Sequence, residues 1–424
     1  MTQGVTPLRL AMAARQGRAA DGERRAEMAV ETDGLLDEAK AGLDEVVALR
    51  RAIHAEPELG LDLPLTQAKV LDALQSCDVS VSLGTRLSSV VATMEMGSPG
   101  PTVLLRADMD ALAIDERTGS PFASRFEQRM HACGHDAHTA MLVGAAKLLA
   151  ARRHTLAGTV TLFFQPGEEG RHGAQVAVEE GLLDGSQTPD HAFALHADPD
   201  LPAGTLATRP GPIMAEATTL RFTMRGRGAH AARPHCSIDP LPAMCQAVLA
   251  LQTLVAREAD PDRPAVLSVT GLRSSSMLAN VIPDSVDAVA TLRTVGQGDG
   301  RRLAERAAEV VEATAAGMRC TAEVEIVPIY PVTHNDTDAA RLVLDVARRL
   351  LGDEAVVELP APRTGSEDFG YILQSVPGAF AFLGMGREGE ETMELHSPRL
   401  VIDEDAMAVG VAMHAAVAMQ MLSR

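Results

Sequence analysis

The sequence predicts an α/β protein in which a largely parallel-sheet domain is interrupted by a ferredoxin-like insertion. Short β-rich apolar runs alternate with helical patterns up to about residue 214. The rhythm then changes to β-α-β-β-α-β over about 115 residues, and α/β character returns after Tyr330.

In chain order, Leu43, Val46, Val47, Leu49 and Ile53 recur at helical spacing between Asp37 and Leu59, a pattern stopped by Pro57 and Gly60. SSVVATMEM, PTVLLRADMDAL, GTVTLFFQP and HAFALHA read as strands. DAHTAMLVGAAKLLAARR precedes the third of them and GAQVAVEEGLLD the fourth, each as a helix. In the insertion TTLRFTMRG is a strand, Asp239 to Arg257 a helix, AVLSVTGL and SVDAVATLRT two strands, Gly300 to Gly317 a helix and TAEVEIVPIY a last strand. A helix near Ala339 to Leu351, the strand AFAFLGMG and an apolar helix from Asp403 to Leu422 complete the pattern. Residues 37–214 and 331–424 thus read as one α/β domain, split by the insertion at 215–330. Residues 1–36 lack the apolar core of a secretory signal and read as a poorly ordered tail, with an Arg-rich transit peptide as the alternative.

At 424 residues, 46% hydrophobic and 22% charged, the composition is that of a globular protein of two or three domains, not of a disordered or fibrous one. A net charge of −19 argues against nucleic acid and anionic membrane as partners. No run of 18 apolar residues is present to span a bilayer. Five cysteines scattered over the chain do not form a disulfide framework, so a reducing, cytoplasmic setting is expected.

The chemistry is concentrated in a few places. His131-Ala-Cys133-Gly-His135-Asp136-Ala-His138 supplies imidazole and thiolate donors at the start of a helix, suited to a borderline-soft divalent ion. Without a metal, Asp136 would serve as a helix cap and the histidines as ordinary hydrogen-bonding groups. In TLFFQPGEEG an apolar strand ends directly on Glu168 and Glu169, at the strand end where open α/β sheets place ligands. One such carboxylate can ligate a metal while the other takes a proton from a bound water. His196, ending HAFALHA, and His396, in MELHSPRL, bring the donors to five with Cys133, His135 and Glu169. Two metals sharing a site need about that many.

The ordered motifs LLRADMDAL, MHACGHDAHTAML, QPGEEG, LHADP, GRGAHAARPH, LANVIPD, ATLRT, GSEDFG and ELHSP resemble the M20 metallopeptidase superfamily, in its aminoacylase or hippurate-hydrolase branch, from about Leu49 onward. The resemblance implies a phosphorylase/hydrolase-like dinuclear metallohydrolase domain with an inserted lid and dimerisation domain. It implies Cys133, His135, Glu169, His196 and His396 as metal ligands and Glu168 as general base. Asp108 falls where the superfamily has the Asp of an HxD motif, with Arg106 in the His position as in this branch. Its expected role is to accept a ligand histidine's remaining N–H. His230 matches a residue that reaches the partner subunit's site and stabilises the oxyanion. Asn280 and Arg293 match substrate-binding positions, and the turn from Gly365 and Ser366 to Asp368 matches a segment lining the substrate pocket.

Arg293 independently suits bidentate capture of a carboxylate, although a salt-bridged strand arginine remains the alternative.

The implied activity is metal-dependent hydrolysis of small N-acyl amino acids by a homodimer or higher homo-oligomer. Other chemistry of the superfamily (dipeptide or carbamoyl/ureido cleavage) and a metal-dependent binding protein without turnover are the alternatives. The metals implied are two divalent ions, Zn²⁺, Mn²⁺ or Co²⁺. One thiolate favours a softer ion, while carboxylate and water ligands tolerate Mn²⁺. His131 and His138 are expected to support the ligands, and Cys77, Cys236, Cys245 and Cys320 to be inert. The sequence assigns no chemistry to His54 or His172, although the latter follows the double Glu closely.

Overall fold

Val103, Leu104 and Leu105 are consecutive and all fully buried, because their strand runs through the middle of a sheet covered on both faces. Val103 and Leu105 pack with Leu142, Leu149 and Met413 on one side; Leu104 packs with Phe163, Ala174, Ile372 and Phe380 on the other. The structure is a computed structural model that describes residues 34–185, 188–387, 389 and 393–423. Most of the expected N-terminal tail, residues 1–33, therefore lies outside the described residues, whereas Leu35 and Leu36 already belong to the first helix.

The elements begin with α1 (Leu35–Ala41), α2 (Leu43–His54) and α3 (Pro64–Ala73), followed by β1 (Ser80–Leu83), β2 (Val90–Glu95) and β3 (Ser98–Asp108). Next come α4 (His135–Ala151), β4 (Ala157–Gln165), α5 (Gly173–Glu179), β5 (His191–Pro202), β6 (Leu206–Thr208) and β7 (Gly211–Met214). The single helix expected from Asp37 is broken at Gly42 and ends at His54, well before Pro57.

From Glu216 the chain forms a separate four-stranded antiparallel sheet. Its elements are β8 (Glu216–Arg225), the short β9 (Ala229–His230), α6 (Pro240–Glu258), β10 (Ala265–Ser274), β11 (Val281–Ile282), β12 (Ser285–Thr294), α7 (Asp299–Gly317) and β13 (Thr321–Tyr330). The spatial order β10-β12-β8-β13 is the ferredoxin-like order expected from the β-α-β-β-α-β pattern. Its strands alternate buried and exposed residues, and Leu220, Phe222, Met244, Leu251, Leu292, Leu303 and Val311 make a core of their own.

The chain then returns through β14 (Thr333–Asn335), α8 (Thr337–Leu351), β15 (Val356–Glu358), α9 (Gly370–Leu373), β16 (Gly378–Gly386) and α10 (Met407–Leu422). The eight-stranded sheet has the order β1-β2-β4-β3-β5-β16-β6-β15. Its central strands β4, β3, β5 and β16 are parallel, while β1 and β2 on one flank and β6 on the other run antiparallel to their inner neighbours. This is the α/β architecture expected, with a mixed sheet in place of a largely parallel one. No helix among the described residues is long and apolar enough to cross a membrane.

Candidate metal centre

The parallel strands β3, β4 and β5 deliver their carboxyl-end residues to one place, as open α/β sheets do. Asp108 and Asp110 follow from β3, Glu168 and Glu169 from the turn after β4, and His196 lies within β5. Cys133 and His135 come from the start of α4. There Gly134 adopts φ +84, and a Cβ on it would lie 2.8 Å from Ala197 Cβ. Only glycine allows the Cys133–His135 turn to lie that close to β5. His396, also with positive φ, arrives on the loop before α10 and donates its backbone N–H to Ala132 O (2.7 Å).

All five expected donors meet. Ligand atoms of Cys133, His135 and His196 lie within 4.8 Å of one another, as do those of Cys133, Glu169 and His396, so Cys133 belongs to both groups. Cys133 Sγ is 3.5 Å from His196 Nε2, and His396 Nε2 is 3.3 Å from Glu169 Oε1. The two buried imidazoles are held in one tautomer. Nδ1 of His135 donates to Asp110 O (2.8 Å) and Nδ1 of His196 to Ala197 O (2.8 Å), because a carbonyl only accepts. In the neutral form each ring then presents its lone pair at Nε2, the state a metal requires. His135 Nε2 is buried with no hydrogen-bond partner among the described residues, and Glu169 Oε1 is buried with only the His396 imidazole close to it. Orphaned donor atoms of borderline-soft and hard character around one point fit divalent cations.

The adjacent carboxylates differ electrostatically. Burial, with Glu367, Glu169 and Asp368 nearby, pushes Glu168 well above the usual carboxylate range. Burial also acts on Glu169, but His396 and His135 bring its carboxyl below the ordinary value. Neighbouring carboxyls driven apart in this way suit two different tasks.

Several supporting contacts had no signal in the sequence. The Asp110 carboxylate accepts the backbone N–H groups of both Glu168 and Glu169 (2.9 Å each), while its carbonyl orients His135. Arg106, fully buried, binds Asp108 (2.6 Å), Glu367 (2.8 Å), Asp368 (3.0 Å) and Gln165 (2.9 Å).

Asp108 itself departs from expectation. It accepts from His138 Nδ1 (2.6 Å), whose Nε2 in turn accepts the Ala197 N–H (2.7 Å). Asp108 Oδ2 lies 3.6 Å from His135 Nε2. The N–H of the clustered histidine His135 thus goes to the Asp110 carbonyl, because Asp110 follows the strand end and reaches Nδ1 first.

Asp136 makes no helix cap. It pairs with Arg50 (2.9 Å) and with His54 Nδ1 (2.7 Å), and His54 Nε2 faces Glu116 (3.3 Å), which places His54 behind the start of α4. His131 is buried beside His54, ring centroids 6.1 Å apart, with neither ring nitrogen hydrogen-bonded.

The remaining expected site residues lie elsewhere. His230 is exposed on β9, opposite Val281 of β11, its Nδ1 accepting the Ala232 N–H (3.1 Å). Exposed Asn280 precedes β11 and accepts the Ala231 N–H through its carbonyl (3.0 Å), so His230 and Asn280 share one two-stranded ribbon. Half-buried Arg293 on β12 reaches Thr291 Oγ1 and makes no ion pair among the described residues. Neither His230, Asn280 nor Arg293 hydrogen-bonds within this chain to the five clustered donors. In the 365–368 turn, Glu367 and Asp368 point inward to Arg106, leaving exposed Gly365 and half-buried Ser366 as its open part.

Residues 104–420 match the model of peptidase family M20/M25/M40. The chain is 40% identical over 383 residues to an Arabidopsis thaliana IAA-amino acid hydrolase, covering 89% of this chain and 85% of that one. It is 38% identical over 363 residues to the N-acetyl-L-cysteine deacetylase of Bacillus subtilis, with 86% and 85% covered. A solved structure of a dinuclear metal binding peptidase from Bacillus subtilis superposes with a TM-score of 0.79 at 33% identity, over 90% of this chain and 99% of that one.

Proposed function

Since the chain belongs to the M20/M25/M40 peptidase family, we propose that it is a metal-dependent amidohydrolase. It cleaves the amide of small N-acyl amino acids, of N-acetyl or N-benzoyl type, to a carboxylic acid and a free amino acid. The observation that carries this reading is the convergence of Cys133, His135, Glu169, His196 and His396 beside the buried carboxyl of Glu168. Relatives that act on N-acetylcysteine, N-acetyldiaminopimelate and IAA-amino acids support the substrate class.

His135, His196 and Cys133 would hold one divalent ion and Glu169 and His396 a second, with Cys133 near both. Zn²⁺, Mn²⁺ and Co²⁺ all suit this donor set. Bound there, such ions supply Lewis acidity and a lowered water pKa.

The protein's own residues do the rest. Glu168, fixed through its backbone by Asp110, takes a proton from the attacking water and returns it to the leaving nitrogen. Asp110, through the amides of Glu168 and Glu169, keeps base and ligand in register. His138 fixes Ala197 and hence the strand around His196. His230 acts on the oxyanion of a partner subunit's site, which makes the working unit a homodimer. Asn280 and Arg293 hold the substrate's carboxylate, and Gly365 and Ser366 line its pocket. A reducing, cytoplasmic setting keeps Cys133 out of disulfides and available as a ligand.

The test is release of free amine from N-acetyl and N-benzoyl amino acids, with and without chelator, after reloading with Mn²⁺ or Zn²⁺. Chelator-sensitive turnover is expected, and its absence across the panel would refute the reading. Glu168→Gln should abolish turnover while bound metal remains, and normal kcat in that variant would refute the base assignment.

A further inference from the structure

The seven residues from Gly167 to Gly173 hold both members of the carboxylate pair in an unusual backbone. Gly167, Gly170 and His172 all have positive φ (+77, +71 and +59). Such a turn has few regular hydrogen bonds to fix it, so its anchors are identifiable singly. Asp110 takes the N–H groups of Glu168 and Glu169. The C=O of Glu168 accepts the N–H of Gly170 within the turn (2.7 Å), and a second hydrogen bond from the hydroxyl of Tyr330. The same hydroxyl accepts the Gly170 N–H (2.6 Å), so both its donor and its acceptor capacities are used.

The peptide unit between Glu168 and Glu169 consists of the Glu168 C=O and the Glu169 N–H. It is thus gripped on opposite sides, its N–H by the Asp110 carboxylate and its C=O by Tyr330. Rotating that unit would swing the two side chains relative to each other, and the two anchors together prevent it.

Tyr330 is itself rigidly placed. It is 5% exposed, ends β13, pairs with Ala217 of β8, and sets its ring edge-to-face against His172 (centroids 5.3 Å). The chain's other tyrosine, Tyr371, also packs on the His172 imidazole (centroids 6.4 Å), with its hydroxyl 3.5 Å from His172 Nδ1 and donating to Ile329 O (3.1 Å), but among the described residues it makes no bond to the turn's backbone. Tyr330 is therefore the contact through which the last strand of the four-stranded sheet reaches the carboxylate pair.

We propose that Tyr330 is a positioning residue that clamps the Glu168–Glu169 peptide, holding the base and the metal ligand in fixed relation. The inference rests on the hydrolase reading for its catalytic consequence, and on the geometry alone for its effect on metal affinity.

The experiment compares Tyr330→Phe with Tyr371→Phe in the full-length protein. Each removes one hydroxyl, and only the first hydrogen-bonds to the turn's backbone, Tyr371 meeting the turn at the His172 side chain alone. Three quantities are read: kcat and KM on an N-acetylated amino acid, the dissociation constant for Mn²⁺ titrated into the metal-free protein, and hydrogen exchange at the Gly170 amide.

For Tyr330→Phe, kcat should fall about tenfold or more with KM within about twofold, since small misplacement of reacting groups is enough for such losses. Mn²⁺ should bind more weakly and Gly170 should exchange faster. Tyr371→Phe should match wild type in all three. Loss of either kcat or Mn²⁺ affinity in Tyr330→Phe alone supports the clamp. Unchanged values, or equal losses in both variants, overturn it. A wild type without turnover defeats the hydrolase reading, and the Mn²⁺ titration still decides the role of Tyr330. A wild type that binds no Mn²⁺ overturns both.

Discussion

Replacing Asp110 with Asn separates two functions that one residue combines. The backbone carbonyl that orients His135 is unaffected. The side chain, however, now offers one oxygen and one NH₂ group where two N–H donors converge at 2.9 Å. One hydrogen bond to a charged acceptor is lost and one buried N–H is left opposing another donor. Hydrogen bonds to charged groups contribute about 1.5–3 kcal/mol each and an orphaned buried donor is similarly unfavourable, so the turn loses roughly 2–3 kcal/mol of its hold. If that hold is spent on placing Glu168 and Glu169 for the reaction, kcat/KM should fall by roughly 30-fold to 150-fold, at about 1.4 kcal/mol per tenfold. Steady-state hydrolysis of an N-acetyl amino acid, alongside elemental analysis of bound metal, measures this. Activity within about threefold of wild type, with full metal content, would show that the two bonds do not position the carboxylates.

Three further outcomes follow from the same geometry. Cys133→Ala should reduce bound divalent metal and turnover together, because Cys133 is the donor common to both clusters; full metal content in that variant would refute the shared position. His54 is buried, which lowers its pKa, but Asp136 and Glu116 outweigh this and raise it from 6.5 to about 9. Its stabilisation, about 3 kcal/mol for a rise of that size, is complete below about pH 6.5 and is lost as pH rises through about 9. The stability advantage of wild type over His54→Gln, followed by thermal melts from pH 6 to 10, should shrink across that window, and a constant difference would refute the pairing. Finally, if His230 serves a partner's site, mixing subunits carrying His230→Ala with subunits carrying Glu168→Gln should restore activity. In half of a random mixture one site per dimer is then intact, or about a quarter of wild type, and no restoration would refute the arrangement in trans.

How much of this the sequence disclosed depended on what each residue does with its side chain. The five donors were legible because thiolate, imidazole and paired carboxylates are distinctive at strand ends and helix starts. The central strands were legible because runs such as Val103-Leu104-Leu105 bury both faces. β1 was not, since Ser80–Leu83 is exposed throughout and carries no burial pattern. Asp110 was missed because its service is to backbone amides 58 and 59 residues away, which leaves no local spacing to read. Asp108, two residues earlier and of the same type, drew the expectation instead. Tyr330 gave no sign for the same reason: it ends an ordinary strand, and its hydroxyl acts 160 and 162 residues away. His230 came with a role in trans, which a single chain does not display.

The position of β16 bears on how the molecule is made. This strand, Gly378–Gly386, lies between β5 and β6, so a chain emerging from the ribosome presents β5 as an unpaired edge until residue 386 has been synthesised. The four-stranded unit in between is contiguous, from Glu216 to Tyr330, and has its own core, so it can close while that edge still waits. An open apolar edge is a template for pairing with other chains. The nascent protein is thus most vulnerable to aggregation over a stretch of nearly 200 residues of synthesis, roughly 10 to 40 seconds at ordinary rates. The fifth donor, His396, emerges only after that edge is covered. Loading of the full donor set is thereby ordered after completion of the sheet.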